Sequence, residues 1–184
     1  MLWLLISIGA AQTVGFLDGD DDYWLVDSIP APNPGDSYTI ESWVMTTDPT
    51  VSQTVLSVQH PTLGFSLFNL SYYYSAGNAL WCVVIEDALA NSATGCENVI
   101  NGVQDGALGP ASLISNVWVH VAVTYDADTN RLRILEDGAE VGNYPVPITP
   151  TWNETVNPWW VGAESDLATA TDPIINEWVG QISE

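Results

Sequence analysis

The chain contains no lysine and only two arginines, Arg131 and Arg133, against 23 acidic residues, which leaves a net charge of −21. Phosphate backbones are held by Lys and Arg, so this balance argues against a nucleic-acid ligand. It argues equally against an anionic lipid surface. Histidine is almost as scarce. His60 and His120 are the only two, and neither sits in a zinc-ligand pattern. No G-x-S-x-G nucleophile elbow occurs. No apolar run reaches the ~20 residues that span a bilayer as a helix. No stretch keeps a helical hydrophobic period, no segment repeats, and no linker divides the chain.

What is present is apolar and β-branched. Apolar residues make up 47% of the 184, enough for one domain with a substantial core. The excess acid fits a surface adapted to salt water or an acidic secreted protein. Acidic clusters that recruit divalent cations are the sharper reading, and the two are compatible. Met1 to Ala11, MLWLLISIGAA, has the apolar run and small residues of a short signal peptide, without the usual basic start. Its other reading is a hydrophobic first strand. Residues 12–184 then form the domain. Asn69-Leu-Ser and Asn153-Glu-Thr are glycosylation sequons.

The clearest pattern runs from Asn116 to Gly142. Val117, Val119, Val121, Val123 and Tyr125 alternate with Trp118, His120, Ala122 and Thr124, the signature of a half-buried strand. Asp126 to Asn130 supplies Asx residues for a turn. Arg131 to Glu136 returns, Asp137-Gly138 is a hairpin signal, and Ala139 to Tyr144 leaves again. Asp126, Asp128 and Asn130 superficially resemble a calcium loop. Arg131 stands where that loop needs glycine, so a plain turn is expected. Further strands are expected at Thr13–Leu17, Tyr23–Val26, Tyr38–Thr47, Thr54–Gln59, Gly64–Leu70 and Ala79–Glu86. Others are expected near Cys96–Val103 and at Trp159–Ala163, and Ile174–Ile182 returns to apolar character. Many short strands between turn signals mean an all-β sandwich or barrel.

This meander carries a resemblance. W-x-H-V-A-V-T-Y-D from Trp118, L-R-I from Leu132 and D-G-x-x-V-G from Asp137 resemble the laminin-G-like and pentraxin-like branch of the concanavalin A-like superfamily. Leu17–Tyr23, Tyr38–Val44, Val161-Gly162 and Gly180–Glu184 are similar to its other motifs, in the same order. The resemblance implies a two-sheet antiparallel jelly-roll β-sandwich. It also implies a secreted, non-catalytic recognition or adhesion module, with an extracellular glycan as partner. The alternatives are a structural or protein-interaction domain of a larger surface protein, and a divergent glycoside hydrolase. Two positions depart from the pattern. Glu136 stands where the family has an aliphatic residue. The chain also ends where a last strand is due, so the strand at Thr13–Leu17 is expected to lack most of its partner and leave an open edge.

Four sets of residues are candidates for chemistry. Asp18, Asp20, Asp21 and Asp22 place carboxylates on one tight turn, as calcium requires. The resemblance adds Glu184, where first and last strands meet. Cys82 and Cys96 are fourteen residues apart. A chain that folds back between them lets the two bond in a secretory compartment. Closing such a loop contributes roughly 3 kcal/mol. The other reading is two free buried thiols. Trp152 and Trp159, in or beside a Pro/Asn-rich loop, either stack on sugar faces or tuck against the sheet. Trp43, Trp118 and Trp160 are expected to pack inside, and His120 to be structural. Related laminarinase-type hydrolases carry E-x-D-x-x-E. Here Glu164-Ser-Asp166 is followed by Thr169 in place of the second acid. Retaining hydrolysis needs both acids, so the reading is not an enzyme.

Overall fold

The alternation in the sequence survives in three dimensions. Val119, Val121, Val123 and Tyr125 are buried in the core, and His120 and Thr124 turn the other way. The structure, a computed structural model, describes residues 15–19, 22–26, 35–59, 66–75, 77–86, 92–93, 107–111, 113–146, 159–165, 174–175 and 177–183. Among the described residues every regular element is a strand. In chain order they are β1 (Gly15–Asp18), β2 (Trp24–Val26), β3 (Tyr38–Thr46), β4 (Gln53–Gln59) and β5 (Ser66–Ser75). Then come β6 (Asn78–Glu86), β7 (Ser92–Ala93), β8 (Ala107–Pro110), β9 (Val119–Asp126) and β10 (Arg131–Glu136). The last are β11 (Ala139–Pro145), β12 (Trp159–Val161), β13 (Glu164–Ser165), β14 (Ile174–Ile175) and β15 (Val179–Ser183).

Sheet A has six strands in the order β1-β15-β3-β9-β10-β11. Sheet B has seven, ordered β2-β12-β4-β5-β6-β7, with β8 also beside β6. β13 and β14 make a small separate ribbon. The fold is the all-β, two-sheet antiparallel jelly-roll sandwich that the sequence implied. Its core fills from both inner faces. Tyr38, Ile40, Val44, Leu132 and Ile134 from sheet A meet Phe68, Leu70, Tyr72, Trp81 and Ile85 from sheet B. Fully burying such side chains contributes about 1.5–3 kcal/mol each.

The hairpin between β10 and β11 is the tight turn expected. Asp137 and Gly138 have φ of 49° and 79°, the doubly positive pair of a type I′ turn. Asp137 also ties back to β9: its carboxylate accepts from the His120 amide at 2.9 Å. The Asp126–Asn130 turn is an ordinary Asx turn. The Asp126 carboxylate accepts from the Asp128 and Thr129 amides. Hydrogen bonds from the Thr129 side chain, then from these amides, with Arg133 nearby, hold its pKa below the usual range. Glu136 points inward with Leu132 and Ile134 and is buried. It is not stranded there, because the Trp81 indole N–H donates to its carboxylate at 2.5 Å. That bond replaces one of the waters the acid gives up.

One expectation is corrected. The first strand does not lack a partner. β15 pairs with all of it, Gly15 with Ile182 through Asp18 with Val179. β15 pairs on its other side with β3, Gly180 opposite Thr46. Gly180 makes that position possible. Its φ is +149°, and a Cβ there would lie 2.0 Å from the Met45 carbonyl oxygen. The expected strand at Cys96–Val103 and the leader Met1–Ala11 lie outside the described residues.

A buried polar knot ties the two sheets together. Gln53, on β4, is fully buried. Its amide nitrogen donates to the Thr46 hydroxyl at 3.0 Å and to the Asp48 carbonyl at 2.6 Å. Its amide oxygen accepts from the Val179 amide at 2.8 Å. Thr46 in turn donates to the Val179 carbonyl at 3.1 Å. Beside it, the Trp178 amide donates to the Gly162 carbonyl, and the Gly162 amide to the Val55 carbonyl. Replacing Gln53→Leu strips partners from several buried groups at once. We expect a loss of about 3 kcal/mol, read as a lower urea midpoint at unchanged slope. A loss below about 1 kcal/mol would show that the knot is incidental.

Candidate functional site

The outer face of sheet A presents its side chains as a lattice of rungs. Phe16, Gln181 and Met45 form one rung across β1, β15 and β3. Ser183, Trp43 and His120 form the next. Glu41, Ala122, Leu135 and Glu140 follow, then Thr39, Thr124, Arg133 and Asn143. Neighbouring strands lie ~4.8 Å apart and alternate residues ~7 Å apart along a strand. Trp43 sits in the middle, on the third of six strands. It is 44% exposed. Its ring lies 5.1 Å from the His120 ring, tilted by 50°. Glu41 stands two residues away on the same face. Its carboxylate is 3.7 Å from His120 Nε2. Phe16 and Trp118 add further exposed aromatic surface.

The two arginines lie at the far side of this face. Arg131 Nε donates to the Asn143 side-chain oxygen at 2.6 Å, and its Nη2 to the Asn143 carbonyl. Arg133 lies 3.8 Å from Glu140. Asn143 closes the group by donating to Glu140 at 3.0 Å.

The outer face of sheet B is different. Thr54, Ser57, Asn69 and Ser71 point outward by register, yet Thr54, Ser57 and Asn69 are buried. Ser71 donates to the Asn69 side-chain oxygen, and Ser57 to the Ala163 carbonyl. Asn69 is 6% exposed, so the Asn69-Leu-Ser sequon is closed to modification in the folded domain.

Several residue readings change. Trp159 was a candidate for sugar stacking, but it is a core residue, 2% exposed. Its neighbour Trp160 faces the other way and packs against Tyr23 at 4.7 Å between ring centroids. Trp43 and Trp118, expected inside, are exposed: Trp43 shares the outward set of β3 with Glu41, and Trp118 lies in the loop before β9 beside the exposed Val117. The signal was available: a face that carries Glu41 is a poor core face. In the acidic turn, the Asp22 carboxylate accepts from the Asp18 amide at 3.0 Å. Asp20, Asp21 and Glu184 lie outside the described residues, as do Trp152, Cys96, Asp166 and Thr169. Among the described residues no group of three or more His, Cys, Asp or Glu side chains is placed to hold a metal.

The exposure difference predicts opposite responses to truncation. Trp159→Ala should cost about 3–5 kcal/mol in chemical denaturation, as a large core deletion does. Trp43→Ala should cost less than about 1 kcal/mol, as surface changes do. Similar costs for both would contradict this assignment of faces.

Comparison with known proteins agrees with the architecture. A laminin-G family model, described as the concanavalin A-like lectin/glucanases superfamily, matches residues 18–184. No curated protein matches the chain. Among solved structures, a heptameric SAP-like pentraxin from Limulus polyphemus superposes with a TM-score of 0.61 at 11% identity, over 93% of this chain and 72% of that one. Domains LG4-5 of the mouse laminin α1 chain give 0.59 at 13% identity, over 95% of this chain and 40% of that one. The CBM40 of the Ruminococcus gnavus IT-sialidase, solved with α2,3-sialyllactose, gives 0.53 at 15% identity, over 79% and 72%. At such identities the likeness is one of fold. The match over nearly the whole chain places it: the chain belongs to the laminin-G branch of the concanavalin A-like lectin/glucanase superfamily.

Proposed function

We propose that this domain is a secreted, non-catalytic recognition module that binds extracellular glycan on the outer face of sheet A. The observation that carries the reading is Trp43, an exposed indole at the centre of a regular sheet face. The negative face of an aromatic ring attracts the C–H edges of a pyranose. Glu41, His120 and Ser183 surround it with groups that hydrogen-bond hydroxyls, and such polar groups fix a ligand's orientation. A carbohydrate-binding relative of the same fold supports the class. No reaction is assigned, because Thr169 replaces the second acid of the hydrolase pattern. On a glycan array and by calorimetry, Trp43→Ala should lose at least tenfold in affinity, about 1.4 kcal/mol, with the fold intact. An unchanged affinity would remove Trp43 from the site.

A second reading, a protein-interaction domain, rests on the loop before β9. There Ile114, Val117 and Trp118 are exposed within five residues. An apolar cluster of this kind serves as an interface anchor. An array silent on all glycans favours this reading over the first.

Two supporting elements belong to the same proposal. Cys82 is buried on β6, and we propose that it forms a disulfide. The chain has one other cysteine, Cys96, which we propose as its partner. Calcium would be held by Asp18 and Asp22 with Asp20, Asp21 and Glu184, and would neutralise charge where first and last strands meet. Both are tested in one melting series. Reductant should lower the melting temperature, and chelator should lower it at matched ionic strength. Matching is needed because any salt relieves repulsion in so acidic a chain. Insensitivity to reductant or to chelator removes the disulfide or the calcium, respectively.

A further inference from the structure

We infer that the sheet A face takes neutral glycans and rejects carboxylated, sialylated or sulfated ones. This rests on the glycan reading above and adds the ligand's charge class. Anionic sugars are recognised by guanidinium or ammonium groups, most strongly by a bidentate arginine. The whole chain has two such groups, Arg131 and Arg133. Both lie on β10 and both are engaged. Arg131 spends its Nε and Nη2 on Asn143. Arg133 faces Glu140, and it also neighbours Asp126. An incoming carboxylate would have to compete with Asn143 at Arg131 and with resident carboxylates at Arg133.

The rest of the face is acidic. Glu41 stands beside Trp43, where a stacked sugar would lie. Asp126, Asp137 and Glu140 border the same surface. Four carboxylates thus oppose two engaged guanidiniums. Within the screening length, the net charge of −21 adds a field that lowers the local concentration of any anion.

A neutral pyranose meets none of these costs. The same Glu41 carboxylate becomes an asset to it. A carboxylate accepts two hydroxyl hydrogen bonds, each strengthened by its charge. His120 Nε2, beside it, reaches a third hydroxyl. The arrangement of Trp43, Glu41 and His120 therefore suits a sugar with adjacent free hydroxyls and no charge. The CBM40 relative was solved with a sialylated ligand, so the charge class would differ within one fold.

The test uses matched pairs in calorimetry with the full chain. They are β-1,4-mannohexaose against β-1,4-hexamannuronate, cellohexaose against its β-1,4-glucuronate counterpart, and lactose against α2,3-sialyllactose. Each is run with chelator and with millimolar calcium, at low and high salt. We expect a neutral member to bind at least tenfold more tightly than its acidic partner, with affinity insensitive to salt. Trp43→Ala should abolish that binding. An acidic member that binds as tightly as its neutral partner, in either metal condition, overturns the charge rule and leaves the glycan reading standing. Silence across all three pairs overturns the glycan reading, and this inference with it.

Discussion

The side-chain amide of Gln53 is the group that both sheets require. A buried amide must have its partners or the fold loses the full desolvation cost of each group. Gln53 belongs to sheet B, and two of its partners, Thr46 and Val179, belong to sheet A. The knot therefore sets where β4 lies against the β3–β15 pair. Once β3 is placed, its alternation is placed too. A slip of one residue would turn Trp43 into the core and Val44 out. The exposed indole is thus a consequence of a hydrogen-bonded residue on the opposite sheet.

The same protein handles its acids in two ways. Among the described residues most stay in water, where repulsion is screened and each costs little. Glu136 does not, and it survives in the core because an indole N–H from the other sheet meets it. Its charge, after burial itself and after Tyr74 and Asp48, is among the causes that push the Tyr72 phenol above its usual range. A departure from the aliphatic pattern at one position therefore comes with a second polar contact between the sheets.

Much of the fold was legible in the sequence because strands announce themselves locally. The valines of β9, the Asp137-Gly138 turn and the motif order each needed only a few neighbouring residues. The partner of β1 was not legible, since Gly180 pairs with Leu17 from the far end of the chain. Nothing local marks that a short segment after Trp178 is an internal strand. The tryptophans were harder still. Trp159 and Trp160 are adjacent and identical, and alternation alone sends one inward and one outward. Which is which depends on the partner strands: Val58 opposite Trp159, and Ser57 opposite Trp160. Glu41 could have identified the outer face of β3, had polarity been weighed above the bulk of Trp43.

The position of β15 has a temporal consequence. β15, the last strand among the described residues, is an inner strand of sheet A, between β1 and β3. Until it is made, β1 has no neighbour among the described residues and the near edge of β3 is bare. Pairings of such long sequence separation close slowly, because the loop entropy is lost before the contact forms. During synthesis the meander of β9 to β11 can form early, while the sheet it belongs to cannot be completed. A ribosome-bound chain would spend that interval with strand edges open to other chains. Its surplus of negative charge then works as a solubility device in the unfinished protein, well before any ligand is met.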